Sequence, residues 1–494
     1  MNKCALYLLL LMALAGCSVN NRYRAVKKYP KQELLRDYNL MQSILEEQHP
    51  GMYWYLAKDS MDMYFERGRN MLQDSMTEPQ FRKVLSYAIS KLGCGHTSVR
   101  ASKGFARNSD SLRNRSFPLG FKIWKDTALV TYNLLQSTSA VKRGAIVTAI
   151  DGRPMQQVVD SLFQFLSTDG YNLTHKYQTL SNRGTFSSLY LSVFGYRPNF
   201  HVSFIDSSGT ERFDSIRLYT PHRDTAARGD SARPPAPRYS RKERKKAALL
   251  SSRSLRFDTS LNAAFMELNT FQKSGKLRRF FTSSFKKLDR SGTQNLVIDL
   301  RTNGGGNVTN SNLLTRYLAA APFKIADSLY TRSRGSRFGR YQKDNFSTWI
   351  FALFMTHKAK DNNYHFGYYE RKRFSPKRRH HFNGQVYILS GGNTFSASTL
   401  FMKSIKDQDN VTIVGEESGG GAYGNNAWLI PDVTLPATGV RFRLPLYRLV
   451  IDRDEVKGYG VQPDVRALPT VEAIRKNHDF KMEQALKLIR SSRR

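Results

Sequence analysis

Three short apolar runs in the second half of the chain do most to limit its fold: Leu296-Val297-Ile298-Asp299-Leu300, Val386-Tyr387-Ile388-Leu389 and Val411-Thr412-Ile413-Val414. Runs of this length with little polar alternation suit strands buried on both faces, the setting of a parallel sheet covered by helices. Helical periodicity lies between them, with Val308, Leu313, Leu314, Tyr317 and Leu318 in 307–319 and a second pattern over 397–405. From about residue 254 the chain therefore reads as α/β, closing on an amphipathic helix over 471–491. The basic, aromatic-rich stretch 333–383 reads as an insertion with no assigned place.

A chain of 494 residues exceeds one hydrophobic core, so two or three domains are expected. Residues 31–100 read as helices. Leu34, Leu35, Tyr38, Met41, Ile44 and Leu45 fall at helical spacing, and Thr77-Glu78-Pro79-Gln80 is a capping box with proline in the first turn. Residues 117–220 change to strand-like runs at 121–124, 128–132 and 145–150, an Asp151-Gly152 turn and a helix over 155–166. Residues 222–248 are rich in Arg, Lys, Pro, Asp and Ser and read as a linker. The resulting division is a signal segment 1–17, a helical domain 22–115, a β-rich domain 116–221, a basic linker 222–252 and an α/β domain 253–494.

The N-terminus indicates the compartment. Lys3 precedes an apolar run from Ala5 to Ala15, of signal-peptide length and too short to span a bilayer. It ends in Leu14-Ala15-Gly16-Cys17, which resembles a bacterial lipobox, so lipidation of Cys17 is expected. Cys94 would then be the only free thiol. A lipid-anchored, periplasm-facing protein of the cell envelope follows, and the lack of an acidic residue after Cys17 favours the outer membrane. The formal net charge of +37 predicts attraction to anionic envelope polymers or lipid head groups. No nucleic-acid recognition motif accompanies it, and neither zinc-type Cys/His spacing nor a cofactor motif is expected. Gly419, Gly421 and Gly424 fit GxGxxG, but Ala427-Trp428-Leu429-Ile430-Pro431 does not open the helix that a dinucleotide site requires.

Two glycine-rich elements follow the apolar runs. Arg301-Thr302-Asn303-Gly304-Gly305-Gly306 lets backbone N–H groups converge at the carboxyl end of a strand. Gly391-Gly392-Asn393-Thr394-Phe395-Ser396-Ala397-Ser398 places Ser396 between a strand and a helix N-terminus, where developing negative charge is favoured. Ser396 fits there either as a helix cap or as a nucleophile. With the amides of Gly305 and Ala397 as oxyanion donors, the pair of elements suits acyl transfer.

The order of these elements, with LVIDLRTNGGG, NTFSAS and GEESGGG, resembles the tail-specific (C-terminal processing) serine peptidase family, including its tricorn core protease-like branch. The resemblance implies a ClpP/crotonase-like α/β catalytic domain, an N-terminal helical domain and a PDZ-like β-rich domain. It also implies Ser396 as nucleophile. Phe117-Pro118-Leu119-Gly120-Phe121 looks like a PDZ carboxylate-binding loop, which implies Leu119, Gly120 and Phe121 as peptide-binding residues. The usual lysine is missing from Gly415–Gly424, and His96 in Cys94-Gly95-His96-Thr97 matches the histidine of Ser-His-Glu branches. The position matched to the acid holds Lys457, so Glu455 is the expected third member, completing a catalytic set of Ser396, His96 and Glu455. The function implied is an envelope endopeptidase acting on protein or peptide substrates without a cofactor. The alternative on the same scaffold is a non-catalytic lipoprotein binding peptides or envelope polymer.

Overall fold

The computed structural model describes residues 27–108, 115–221 and 239–492; the expected lipobox at Cys17 and the 222–238 part of the linker lie outside them. Among the described residues no helix is long and apolar enough to cross a membrane.

The N-terminal helices are Lys31–Gln48, Lys58–Asn70 and Glu78–Ser90, the last opened by the Thr77/Gln80 capping box. Leu34, Tyr38, Met41, Ile44 and Leu45 are buried on one face, as the spacing requires. They do not form a self-contained core. They share one cluster with Val433, Leu435, Phe442, Leu444 and Tyr447 from the C-terminal half. Buried Asp37 fastens the two parts, accepting the amides of Ala437 at 3.1 Å and Thr438 at 2.8 Å. The helical region is thus welded to the α/β region, which fixes where the loop after Ser90 arrives.

A six-stranded antiparallel sheet follows, five strands in the order β1 (Leu119–Trp124), β2 (Thr127–Asn133), β3 (Ile146–Ile150), β4 (Asn199–Ile205) and β5 (Glu211–Arg217), with the short strand Arg153–Pro154 paired to β3. The helix Met155–Phe163 lies where the sequence puts it. Two further helices, Leu173–Ser181 and Thr185–Phe194, follow it. The first buries only Leu180 and shows no clean amphipathic period, whereas the second carries Phe186, Leu189, Tyr190, Val193 and Phe194 at helical spacing, a signal the sequence reading did not use.

The second sheet runs β6 (Arg253–Asp258), β7 (Ala263–Leu268), β8 (Asn295–Asp299), β9 (Gln385–Ser390), β10 (Val411–Gly415) and β11 (Val465–Arg466). All pairs beyond the β6–β7 hairpin are parallel, with Leu296 opposite Val386 and Val386 opposite Val411. Alternate residues feed two separate layers. Ile298 and Ile388 pack on Phe281, Phe285 and Phe401, whereas Val297, Tyr387 and Val414 pack on Ala485 and Ile489. Burial on both faces explains why the strands read as continuous apolar runs. A third sheet, containing Ser328–Thr331, Gly424–Ala427 and Tyr447–Val450, carries the 333–383 insertion as a short hairpin, His357–Lys358 with Tyr364–His365, and a helix, Asn345–Met355.

Two boundaries differ from the sequence reading. The end of the expected 222–252 linker is a helix, Arg241–Ser252, because Ser240 and Glu243 form a capping box ahead of strong helix formers. The final helix divides into Val471–Arg475 and Phe480–Ser491, broken at Asn477, whose φ is +56°, and restarted by Asp479 capping the Met482 amide.

Candidate active site

Ser396 sits between β9 and the helix Ala397–Lys403 with φ 57° and ψ −120°. A left-handed φ in a non-glycine residue stores strain of about 1–3 kcal/mol and is held only where the surroundings impose it. Here Thr394 pins the turn. Its hydroxyl accepts the Gly391 amide and donates to the Leu300 carbonyl, and its carbonyl accepts the Gly419 amide at 2.9 Å. The Phe395 amide donates to the Asn303 carbonyl at 3.1 Å, tying the serine turn to the first glycine loop. The glycine loop at Gly305 and a further one at Gly419–Gly421 then close on it. A Cβ at Gly305 would lie 2.7 Å from Ser396 Cβ, and one at Gly420 would lie 3.0 Å from the Ser396 nitrogen. Ala397 is the first helical residue, so its N–H has no intrahelical acceptor and is available at the serine.

His96 arrives from the loop after the third N-terminal helix. Its ring lies 4.8 Å, centroid to centroid, from the ring of Phe395, the residue next to Ser396. It is buried, and among the described residues neither ring nitrogen has a hydrogen-bond partner. Burial, with Arg443 and His175 nearby, pushes its pKa down to about 3. The acid beside it is Asp169, whose Oδ1 lies 4.0 Å from His96 Nδ1. Asp169 also bridges segments, accepting the Gly95 amide at 2.8 Å and the Gly421 amide at 3.3 Å. Burial raises its pKa to about 7, against the pull of those two amides. A second, half-buried imidazole, His175, stacks on the Phe395 ring at 4.8 Å, with Nδ1 2.7 Å from the Gly392 carbonyl.

Several expected residues are placed otherwise. Glu455 is not the acid at His96. It is paired with Lys403 and Lys406, each at 3.0 Å. Burial opposes its charge, but those two ammonium groups hold its carboxyl below the usual range. The neighbouring Lys457 faces the rings of Tyr423 at 5.7 Å and Trp54 at 6.0 Å. Gly305 lies against Ser396 as expected, but its N–H donates to Asn303 Oδ1 at 2.9 Å and is engaged rather than free. Leu119, Gly120 and Phe121 lie on β1, the edge of the β1–β5 antiparallel sheet, with Leu119 and Phe121 buried. Further along the same edge, the helix Leu173–Ser181 is already docked, Ser181 Oγ accepting the Ile123 amide at 2.9 Å. Gly424 of the GxGxxG pattern opens a strand, Gly424–Ala427, rather than a helix.

Sequence reasoning missed Asp169 and His175. Asp169-Gly170 reads as a turn, and only the fold gives it a further role. A Cβ on Gly170, at φ +59°, would lie 2.3 Å from Gly458 Cα, so the turn is pressed against the C-terminal half. Cys94, His96 and Asp169 offer ligand atoms within 4.8 Å of one another, a grouping their sequence spacing does not show. Both Asp169 oxygens already take amides and the Cys94 thiol meets Thr97 at 3.2 Å, so we assign the cluster to the histidine–carboxylate arrangement.

The loop carrying His96 is braced by a second buried histidine. His49 Nδ1 accepts the Gly51 amide at 3.1 Å, which fixes the proton on Nε2, and that N–H donates to Thr97 Oγ1 at 2.9 Å. Burial, with Arg448 and Arg332, lowers its pKa to about 3 from 6.5. A depressed histidine contributes stability that is complete above its unfolded value and lost as pH falls towards its folded value. His49 is thus expected to add about 1.4 kcal/mol of acid destabilisation per pH unit between 6.5 and about 3. Urea titrations of His49→Gln against the parent check this. A variant with the same slope over that window contradicts it.

Residues 262–467 match the model of peptidase family S41. The chain is similar in structure to mature CPAF, with a TM-score of 0.62 at 15% identity over 93% of this chain and 96% of that one. Mature CPAF complexed with lactacystin superposes with a TM-score of 0.59 at 15% identity, covering 93% and 98%. The photosystem II D1 C-terminal processing protease aligns more loosely, with a TM-score of 0.38 at 13% identity, covering 90% and 96%. No curated protein matches the sequence.

Proposed function

The chain belongs to peptidase family S41 and is a serine-type peptidase, and from that premise we propose that it is an envelope endopeptidase using Ser396 as nucleophile and His96 as base. The observation that carries this reading is a strained serine whose neighbour Phe395 packs its ring 4.8 Å from a buried imidazole with, among the described residues, both ring nitrogens unpartnered. Ser396 Oγ attacks the peptide carbonyl carbon as its proton passes to His96. The oxyanion forms beside the Ala397 N–H at the helix N-terminus. The C–N bond then breaks as His96 returns the proton to the leaving amine, and water releases the acyl group by the reverse proton path. Asp169 is the positioning residue, fixing the imidazole and favouring its protonated form. Phe395 covers His96, so productive substrate entry displaces that ring.

The three-layer domain around β6–β11 is read as ClpP/crotonase-like. The β1–β5 antiparallel sheet is read as PDZ-like, receiving a peptide strand beside Leu119, Gly120 and Phe121 on its edge. The lipobox at Cys17 would anchor the protein to a membrane, facing the periplasm, with the outer membrane favoured by the residues after Cys17. A fluorophosphonate probe tests the chemistry. Covalent labelling of the parent that disappears in Ser396→Ala is expected, whereas labelling that persists in Ser396→Ala removes Ser396 as the nucleophile.

A further inference from the structure

The helix Asn345–Met355 turns an apolar face outwards. Its inner side is anchored by Phe351, whose ring meets Phe366 edge-on at 5.3 Å and Tyr447 at 6.5 Å, and by buried Ala352. Its outer side carries Phe346, Trp349, Leu353 and Phe354, exposed by 72%, 41%, 37% and 77%. These positions recur at intervals that bring them onto one stripe, and Phe346 and Trp349 stack at 6.1 Å. A surface helix ordinarily presents polar residues there. A contiguous aromatic stripe instead marks an interaction surface.

Charge selects the occupant. Residues 333–383 hold twelve lysines and arginines against three acidic residues, Asp344, Asp361 and Glu370. Those acids already face cationic or imidazole partners: Asp344 lies 3.8 Å from Lys343, and Asp361 and Glu370 both bond His365. Exposed Arg337, Arg340 and Lys343 precede the helix, and exposed Lys358 and Lys360 follow it. A second copy would bring this basic surface against itself in a chain of formal net charge +37. An anionic bilayer fits both features, with aromatic side chains entering the boundary between head groups and acyl chains and cations meeting phosphates. We propose that the helix Asn345–Met355 and its flanking cations form an interfacial docking element for an anionic lipid surface. This is independent of the chemistry at Ser396 and of lipidation at Cys17.

The test uses residues 17–494 with Cys17→Ser, which carry neither the apolar N-terminal run nor an acyl group. Cosedimentation is measured with vesicles of equal parts phosphatidylglycerol and phosphatidylcholine, and with phosphatidylcholine alone. The parent is expected to bind the anionic vesicles, and Phe346→Ser with Phe354→Ser to weaken that binding about tenfold or more. The far-ultraviolet circular dichroism and the Ser396 labelling should match those of the parent. Equal binding by the double variant, or no binding by the parent, overturns the proposal. So does a lipid-free dimer of the parent that the double variant abolishes, since a second copy would then own the stripe. A parent that binds vesicles but takes no fluorophosphonate would retain this docking role and lose only the Ser396 reading.

Discussion

Asp169→Asn is expected to lower kcat by roughly 10³–10⁴-fold while the protein remains folded, because a neutral amide neither fixes the imidazole nor favours its protonated form. Glu455→Gln is expected to stay within about threefold of the parent, since its ion pairs with Lys403 and Lys406 are partly exposed and contribute little. The pair of variants separates the acid read from sequence from the acid beside His96. A Glu455→Gln loss as large as that of Asp169→Asn would restore Glu455 to the site. The pH dependence gives a second readout. Asp169 has a pKa raised to about 7, and its charged form is the one that supports His96, so kcat/KM should rise with pH through that value. For stability the sign is opposite. A carboxyl whose folded pKa exceeds its unfolded value of 3.8 contributes stability that is complete below 3.8 and lost as pH rises to about 7. Asp169→Asn should flatten both profiles, and an unchanged activity profile would assign the titration to another group.

Gly305→Ala is expected to remove activity by at least about 10²–10³-fold, comparable with the loss of an oxyanion donor, and to abolish fluorophosphonate labelling. Its φ is +91°, and the added methyl would stand 2.6 Å from the Phe395 carbonyl, 2.7 Å from Ser396 Cβ and 2.9 Å from the Ala397 nitrogen. Backbone on that side cannot yield without unwinding the serine turn. The adjacent Gly304→Ala is the control, because a Cβ there meets nothing within 4 Å and its φ is not in the left-handed region. It should label and turn over nearly as the parent does. Comparable losses in both variants would mean that the loop tolerates no side chain anywhere, and the contact with Ser396 would lose its special role.

The two results bear differently on how much could be read from the chain. The Gly305 contact was largely legible: a triple glycine after a buried strand, paired with a serine after another, predicts two loops meeting at the carboxyl ends of neighbouring strands. The parallel pairing of β8 with β9 supplies that meeting. What the pattern could not show is the direction of a single N–H. The Gly305 amide points to Asn303 Oδ1, a bond set by loop conformation rather than residue type. Asp169 was not legible at all. It is 73 residues from His96 and 252 from Gly421 in sequence, and its role exists only because three segments converge on one carboxylate. Spacing to a neighbouring motif says nothing about which cation Glu455 will find, and Lys403 at the end of the serine's own helix and Lys406 just beyond it both take its carboxylate at 3.0 Å.

Sequence by itself determined the local matters: the buried parallel strands, the capped N-terminal helices, and the serine at a strand-to-helix turn. Each follows from side-chain period, capping chemistry or glycine conformation within a few residues. Tertiary structure alone decided which imidazole packs on Phe395 beside the serine and which carboxylate lies next to that imidazole. The N-terminal helices share a core with the C-terminal strands, and that packing carries His96 to Phe395. It also buries Asp169 deeply enough to raise its pKa. Burial and proximity are properties of the assembled molecule, and no window of sequence contains them.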